Sequence, residues 1–388
     1  MPGKQSISEL IAKTTVHNDD LFALVDSEET PDETKKITGA NMKSEMTSAH
    51  AALTTGVHGL GDYVIGVSTS EAVTLYVDAG SGNDANAGTS GSPKATIKGA
   101  LDALPPIIAH TCTICVRGPQ NYAENNVALE FSRFTTLAAI VIKAVNSSDE
   151  DMYDNGLATG GGNNYLDDSG ASWSANQFNG AYIWIYEGTG AGQIRTISAT
   201  TATRITVSAN WTVNPDATSY YAIGGGATLT GTGAQHIVVT GKTVNLYGFR
   251  HTGATSADVR GERFGIVTVT HNYFATSVFG GVELFDKSFG DMRYNYSSAT
   301  QRTYNCTNLS SCVPRATVFN GGSVGLRLIS GGIAQMHWGT TQKNYFLGVT
   351  TGIEIDSGGC RNASNQVFSG CTTDINPAVS TTVPQWWT

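Results

Sequence analysis

From residue 234 onward the chain repeats itself loosely, and this constrains its folds more than any other feature. AQHIVVTGKTVNLYGFRH is followed by GIVTVTHNYFATS, FGGVELFDKSFGDMRYNYS, VGLRLISGGIAQMHWG and TTGIEIDSGGCRNASNQVFSGC. Each unit holds a short apolar stretch (Val244/Leu246, Ile266/Val267/Val269, Val282/Leu284, Leu326/Leu328, Ile353/Ile355) and then a glycine or asparagine turn. Asn272-Tyr-Phe, Asn295-Tyr-Ser and Asn344-Tyr-Phe recur at comparable places. Asparagine tolerates left-handed backbone angles, and its amide can stack in ladders at solenoid corners. One unit cannot bury its apolar strip alone, whereas stacked units share a core. The units are uneven, roughly 20 to 30 residues each. The pattern predicts an all-β chain wound as a solenoid with irregular turns.

Composition agrees. Charged residues are 14% of the 388, glycine accounts for 45, and the formal charge is -9. That balance argues against a nucleic-acid partner, which needs a surplus of lysine and arginine. No apolar run approaches the ~18 residues of a membrane span, so no membrane insertion is expected. Met1–Asp20 carries Lys4, Glu9, Lys13, Asp19 and Asp20 without an apolar core, and reads as lacking a secretory signal.

The six cysteines fit structural thiols. Cys112 and Cys115 form C-x-x-C inside a β-like run, where positions i and i+3 face opposite sides and cannot easily share a metal. Cys306/Cys312 and Cys360/Cys371 are spaced to bridge on oxidation, but reduced thiols are expected without export. The eight histidines are scattered and form no i, i+4 pair. No metal and no cofactor are expected.

Residues 1–48 differ from the rest. DDLFALVD (Asp19–Asp26) reads as a strand, and ETPDETKKIT turns into a second one. GANMKSEMTSAHAALTTG fits a helix with Met42, Met46, Ala49 and Leu53 on one stripe, a seam for self-association or a core face. ISELIAKTTVHNDDLFALVD followed by TKKITGANMKS resembles the amino-terminal module of bacteriophage tail fibres and tailspikes. That resemblance implies an attachment end that docks on phage tail or baseplate proteins.

Leu75–Pro105, LYVDAGSGNDANAGTSGSPKATIKGALDALP, places a strand, a polar loop and a helical stretch in succession. Gly82, Asp84, Asn86, Gly88, Pro93, Thr96, Ile97 and Ala100 keep the spacing by which this segment resembles the entry of right-handed parallel β-helix proteins of the pectate-lyase-like class. There the helix shields an apolar first rung that would otherwise lie bare. Tyr165–Ile223 contains four strand-like pieces separated by turns, as in antiparallel hairpins, and resembles a β module inserted in phage structural proteins. Trp386 and Trp387 near the end are too apolar to leave uncovered. The expected order is an attachment module with a short helix (1–60), β-helix entry and first turns (61–158), an inserted antiparallel module (159–226), β-helix turns (227–376) and a terminal cap (377–388). The resemblance further implies a homotrimer.

Tailspikes on this fold often cleave polysaccharide, and glycoside hydrolysis needs two acids flanking the bond. Glu354 and Asp356 alternate with Ile353 and Ile355, which places their Cα atoms about 6.6 Å apart on one outer face. Glu283, Asp286 and Asp291 are expected around one turn, and Asp258 and Glu262 in a basic loop. Two carboxylates on a solenoid's outer face are, however, ordinary surface groups. Arg250, His251, Arg260 and Arg263 read as a positive patch suited to acidic sugars, His271 and His337 as rings that could line a groove, and Tyr294, Tyr296, Tyr304, Trp338 and Tyr345 as stacking platforms. The candidate residues are therefore Glu354, Asp356, Glu283 and Asp286 for catalysis, and Arg250, Arg260, Arg263, Trp338 and Tyr345 for glycan binding.

The expected function is a tail fibre or tailspike subunit, a structural component of the virion that assembles in the host bacterial cytoplasm. It would bind host surface polysaccharide or lipopolysaccharide. The alternatives are a polysaccharide depolymerase (hydrolase or lyase) on the same scaffold and a baseplate or decoration protein without a receptor role.

Overall fold

A computed structural model describes residues 21–26, 33–38, 68–129, 135–136, 138–276, 280–298, 301–336, 342–361 and 366–377. The chain divides into two compact units, Met1–Val67 and Ser68–Thr388. In the first, Leu21–Asp26 pairs antiparallel with Glu33–Thr38, from Leu21 opposite Thr38 to Asp26 opposite Glu33. The methionine stripe of residues 39–56 and the terminal tryptophan pair lie outside the described residues.

The second unit is a parallel β-solenoid with three sheets running its length. Sheet A has nine strands and sheets B and C have eight each. One coil shows the path: Thr243–Tyr247 in sheet A, Phe249–Thr252 in sheet B, Ala257–Glu262 in sheet C, then Ile266–Thr270 back in sheet A. Val244, Val267, Gly290, Cys312 and Ala334 stand in register on successive coils, 22 or 23 residues apart. The alternation of each strand decides what faces inward. Val244, Leu246, Val267 and Val269 are buried while Asn245 and Thr268 between them are half-exposed.

Inside, like residues stack on like. Phe319 and Phe346 lie face to face with ring centroids 4.4 Å apart, Phe368 continues the column at 4.9 Å, and Tyr304 meets Phe319 edge-on at 5.2 Å. At the corner between sheets A and B, amides form a second column. Asn272 Oδ1 accepts from the Phe249 N–H, Asn295 Oδ1 from the Asn272 N–H, Asn344 Oδ1 from the Thr317 N–H, and Gln366 Oε1 from the Asn344 N–H. These three asparagines are fully buried. The left-handed residue of each corner lies ahead of the amide: His271 (φ 57°) just before Asn272, Tyr294 (φ 52°) just before Asn295, and Gln342 (φ 62°) two places before Asn344. The asparagines therefore earn their places by satisfying buried N–H groups, rather than by tolerating a left-handed backbone.

The helix α1 (Ile97–Asp102) closes the first coils. Thr96 caps it by accepting from the Gly99 N–H, and Asp84 accepts from the N–H groups of Ala95 and Thr96. Ile97, Ala100 and Leu101 are fully buried beneath it. Between sheet A strand Ile140–Val145 and sheet B strand Ala227–Leu229 the winding is interrupted by a seven-stranded antiparallel sheet, from Asp154–Leu157 to Tyr220–Gly224. It packs on the outside of sheet B through Tyr182 against Tyr273, Trp184 against Tyr296 and Tyr186 against Tyr294.

Both columns predict their own mutational cost. Phe319→Ala should lower stability by about 3–5 kcal/mol in urea unfolding. Asn295→Ala, which orphans the Asn272 N–H, should cost about 1–3 kcal/mol. Leu309→Ala, at a side chain 62% exposed, should stay within about 0.5 kcal/mol.

Candidate functional site

The corner between sheets C and A is built from paired residues in the left-handed region. These are Arg263 (φ 50°) with Phe264 (φ 68°), Asp286 (φ 51°) with Lys287 (φ 63°), and Asn308 (φ 52°) with Leu309 (φ 63°). The paired geometry is held by bonds between coils: the N–H groups of Phe264, Lys287 and Leu309 donate to the carbonyls of Asp286, Asn308 and Ser330 at 3.0–3.1 Å. One coil further on, Gly331 takes the place of Leu309. Glycine adopts this conformation without penalty, whereas other residues pay roughly 1–2 kcal/mol. Bulky side chains are nonetheless present.

Those side chains line an open cleft of about 490 Å³ formed by Arg263, Phe264, Asp286, Lys287, Asn308, Leu309 and Ser330. Phe264 is 60% exposed, and the Lys287 ammonium lies 5.6 Å from its ring centroid. Asn308 donates to Asp286 Oδ1 at 3.0 Å. Ile266 and Phe289 begin adjoining sheet A strands, Ile333 is second in another, and all three are also exposed. The cleft thus combines an apolar platform with cationic, carboxylate and amide groups. Of the sequence candidates, it brings together Arg263 and Asp286. Phe264, Lys287, Asn308 and Leu309 are not legible as site residues in the sequence, because nothing in it marks a left-handed pair of bulky residues.

The other candidates are dispersed. Arg260, Glu283, Asn305, Arg327 and Glu354 occupy one register position on successive sheet C strands. Glu354 Oε2 is 2.9 Å from Arg327 Nε, and Asn305 lies 3.4 Å from Glu283. Glu283 and Glu354 are three strands apart, about 14 Å, beyond the roughly 6.5–9.5 Å of an inverting pair. Asp356 follows the end of strand Thr351–Ile355 and is exposed. Asp291 is on sheet A, between Arg293 and Arg315. Glu283, Asp286 and Asp291 thus occupy a sheet, a corner and another sheet, and not one turn.

The positive patch also separates. Arg250 lies between the rings of Tyr182 and Tyr273, at 5.7 and 5.8 Å, where the inserted sheet meets sheet B. His251 is fully buried, and Arg260 stacks 4.3 Å over Phe285 beside Glu262. Asp258 and Glu262 belong to a strand rather than a basic loop, and Asp258 is fully buried. Tyr296 and Tyr304 are buried, and Tyr345 is half-buried. Trp338 and His337 lie outside the described residues. Burial raises the carboxyls of Glu124 and Glu187, but each serves the backbone, accepting from the N–H of Ile97 and of Gln342 respectively. Cys112 and Cys115 are buried in one strand, and burial pushes the Cys115 thiol up to about 11. The described cysteines are all free thiols.

No family model matches the chain, and no curated protein matches it in sequence. Among solved structures it is similar to a glycoside hydrolase at 9% identity and TM-score 0.28, covering 80% of this chain and 97% of that one. It is also similar to XylC, solved with xylose, at 10% identity and TM-score 0.28, covering 74% of this chain and 64% of that one. A third is the tailspike protein gp49 from Pseudomonas phage LKA1, at 10% identity and TM-score 0.20, covering 74% and 72%. At these scores none of them bears on what this chain binds. No helix among the described residues is long and apolar enough to cross a membrane.

His271 ties the inserted sheet to the solenoid. Its ring stacks on Tyr294 at 5.0 Å and bonds to Asn155 Oδ1 at 3.1 Å. Burial lowers its pKa to about 3, so the folded chain keeps it neutral while the unfolded chain protonates it below about 6.5. Its contribution is present above pH 6.5 and is lost as pH falls toward 3. His271→Asn removes the titration and tolerates the left-handed angle. The urea midpoint of the wild type should therefore drop more steeply between pH 7 and 4.5 than that of the variant; parallel profiles would refute this account.

Proposed function

We propose that the protein is the shaft subunit of a phage tail fibre or tailspike, and that it binds host surface glycan in the cleft at the corner of sheets C and A. One observation carries the choice of cleft: large side chains at Phe264, Lys287 and Leu309 are kept where the backbone favours glycine. Unfavourable backbone retained in the native state marks positions whose side chains are needed. The groups also suit the ligand. A sugar ring offers an apolar face to Phe264 and hydroxyls to Asp286 and Asn308, while Arg263 and Lys287 complement acidic units. Three copies side by side would raise a weak single-site affinity by multivalency, and the amino-terminal hairpin would belong to the end that docks on the virion.

Phe264→Gly separates function from folding. Relief of the left-handed strain should leave thermal stability unchanged or raise it by about 1 kcal/mol. Capture of purified capsule or lipopolysaccharide should weaken tenfold or more, with the mass in solution remaining that of a trimer. Unchanged capture would refute the cleft assignment. If the variant instead falls to monomers and each chain binds as before, the apolar strip is a subunit contact and the glycan assignment is wrong.

A further inference from the structure

Three polar side chains unused above meet inside the shaft, where sheet B turns into sheet C. His251 lies on Phe249–Thr252, and Asp258 on Ala257–Glu262. His236 precedes Ile237–Thr240 and sits one coil before Asp258, its N–H donating to the Asp258 carbonyl. All three are fully buried. His236 Nδ1 is 3.4 Å from His251 Nδ1 and 3.3 Å from Asp258 Oδ1. The donor atoms of the three all lie within 4.8 Å of one another.

Outer partners determine where the ring hydrogens are. His236 Nε2 faces the Gly231 carbonyl at 3.0 Å, which only an N–H can satisfy. His251 Nε2 faces Asn272 Oδ1 at 3.0 Å. That oxygen is the amide's acceptor, because Asn272 Nδ2 donates to the Leu246 and Thr270 carbonyls. A neutral imidazole has one N–H, and here each ring directs it outward. Both Nδ1 lone pairs then face one another beside the Asp258 side chain in the buried interior. Converging lone pairs at this range need a positive centre. Around tetrahedral zinc, nitrogen ligands at about 2.0–2.1 Å stand about 3.3–3.4 Å apart, close to the spacing here. Outward N–H bonds to a carbonyl and an amide are the supports that metal-binding histidines use.

We propose that His236, His251 and Asp258 form a structural binding site for a divalent transition-metal ion of the zinc type, pinning two neighbouring coils at one corner. The competing occupant is a proton on His236, which would give an imidazolium beside Asp258. That proton would leave the His251 lone pair against a second ring nitrogen, whereas a metal engages all three groups. Because the site forms only on folding, binding strengthens the folded state.

The test uses the full chain, expressed with added zinc and analysed by elemental mass spectrometry. One transition-metal ion per chain is expected. After removal by chelator during unfolding and refolding, added cobalt(II) should give visible absorption bands of a four-coordinate ion, and zinc should raise the melting temperature. His251→Gln and Asp258→Asn should abolish the cobalt bands and the zinc-dependent rise. Wild-type protein that folds, carries no stoichiometric metal, gives no cobalt bands and melts alike with and without zinc would overturn the site. The wild-type measurements decide even if a variant fails to fold.

Discussion

Coil-to-coil pairing of parallel strands is the constraint on which the rest of this structure depends. Inward residues pack on their counterparts one coil away, as Val244 does on Val267, 23 positions on, and Phe319 on Phe346, 27 positions on. The hydrogen bonds that join coils also set that register. A shared interior follows, in which Phe319, Phe346 and Phe368 form one column. The corners follow too, since a turn can hold two left-handed residues only when the next coil's carbonyl receives its N–H.

Much of the fold was legible in the sequence. Short apolar alternations separated by glycine and asparagine predicted the solenoid, Leu75–Pro105 the entry and its closing helix, and the hairpin-like run before Ile223 the antiparallel insertion. The asparagine triplets marked real corners but for a different reason. Asn272 and Asn344 are chosen for amide bonding in the interior, and the left-handed angle falls ahead of them, on His271 and Gln342.

The site was much less legible. Arg250, His251, Arg260 and Arg263 are close in sequence, yet a three-sided coil sends them to a sheet face, the interior, a second sheet and a corner. The same geometry hides the histidine cluster. A search at helical spacing cannot detect residues that meet one coil apart, as His236 and Asp258 do. Strict alternation also fails at the start of a strand, where Ala257, Asp258 and Val259 are all buried in succession.

The winding itself can be tested by placing cysteines one coil apart on the outer face of sheet A. Asn245 and Thr268 are in register there, and Thr268 is in turn in register with Asp291. Neighbouring strands stand about 4.8 Å apart, within the Cα separation a disulfide spans. Oxidation of the Asn245→Cys/Thr268→Cys chain should therefore give a near-complete intramolecular cross-link, while Asn245→Cys/Asp291→Cys, two coils apart, should stay reduced. Equal cross-linking of both pairs, or of neither, would contradict the stacked solenoid.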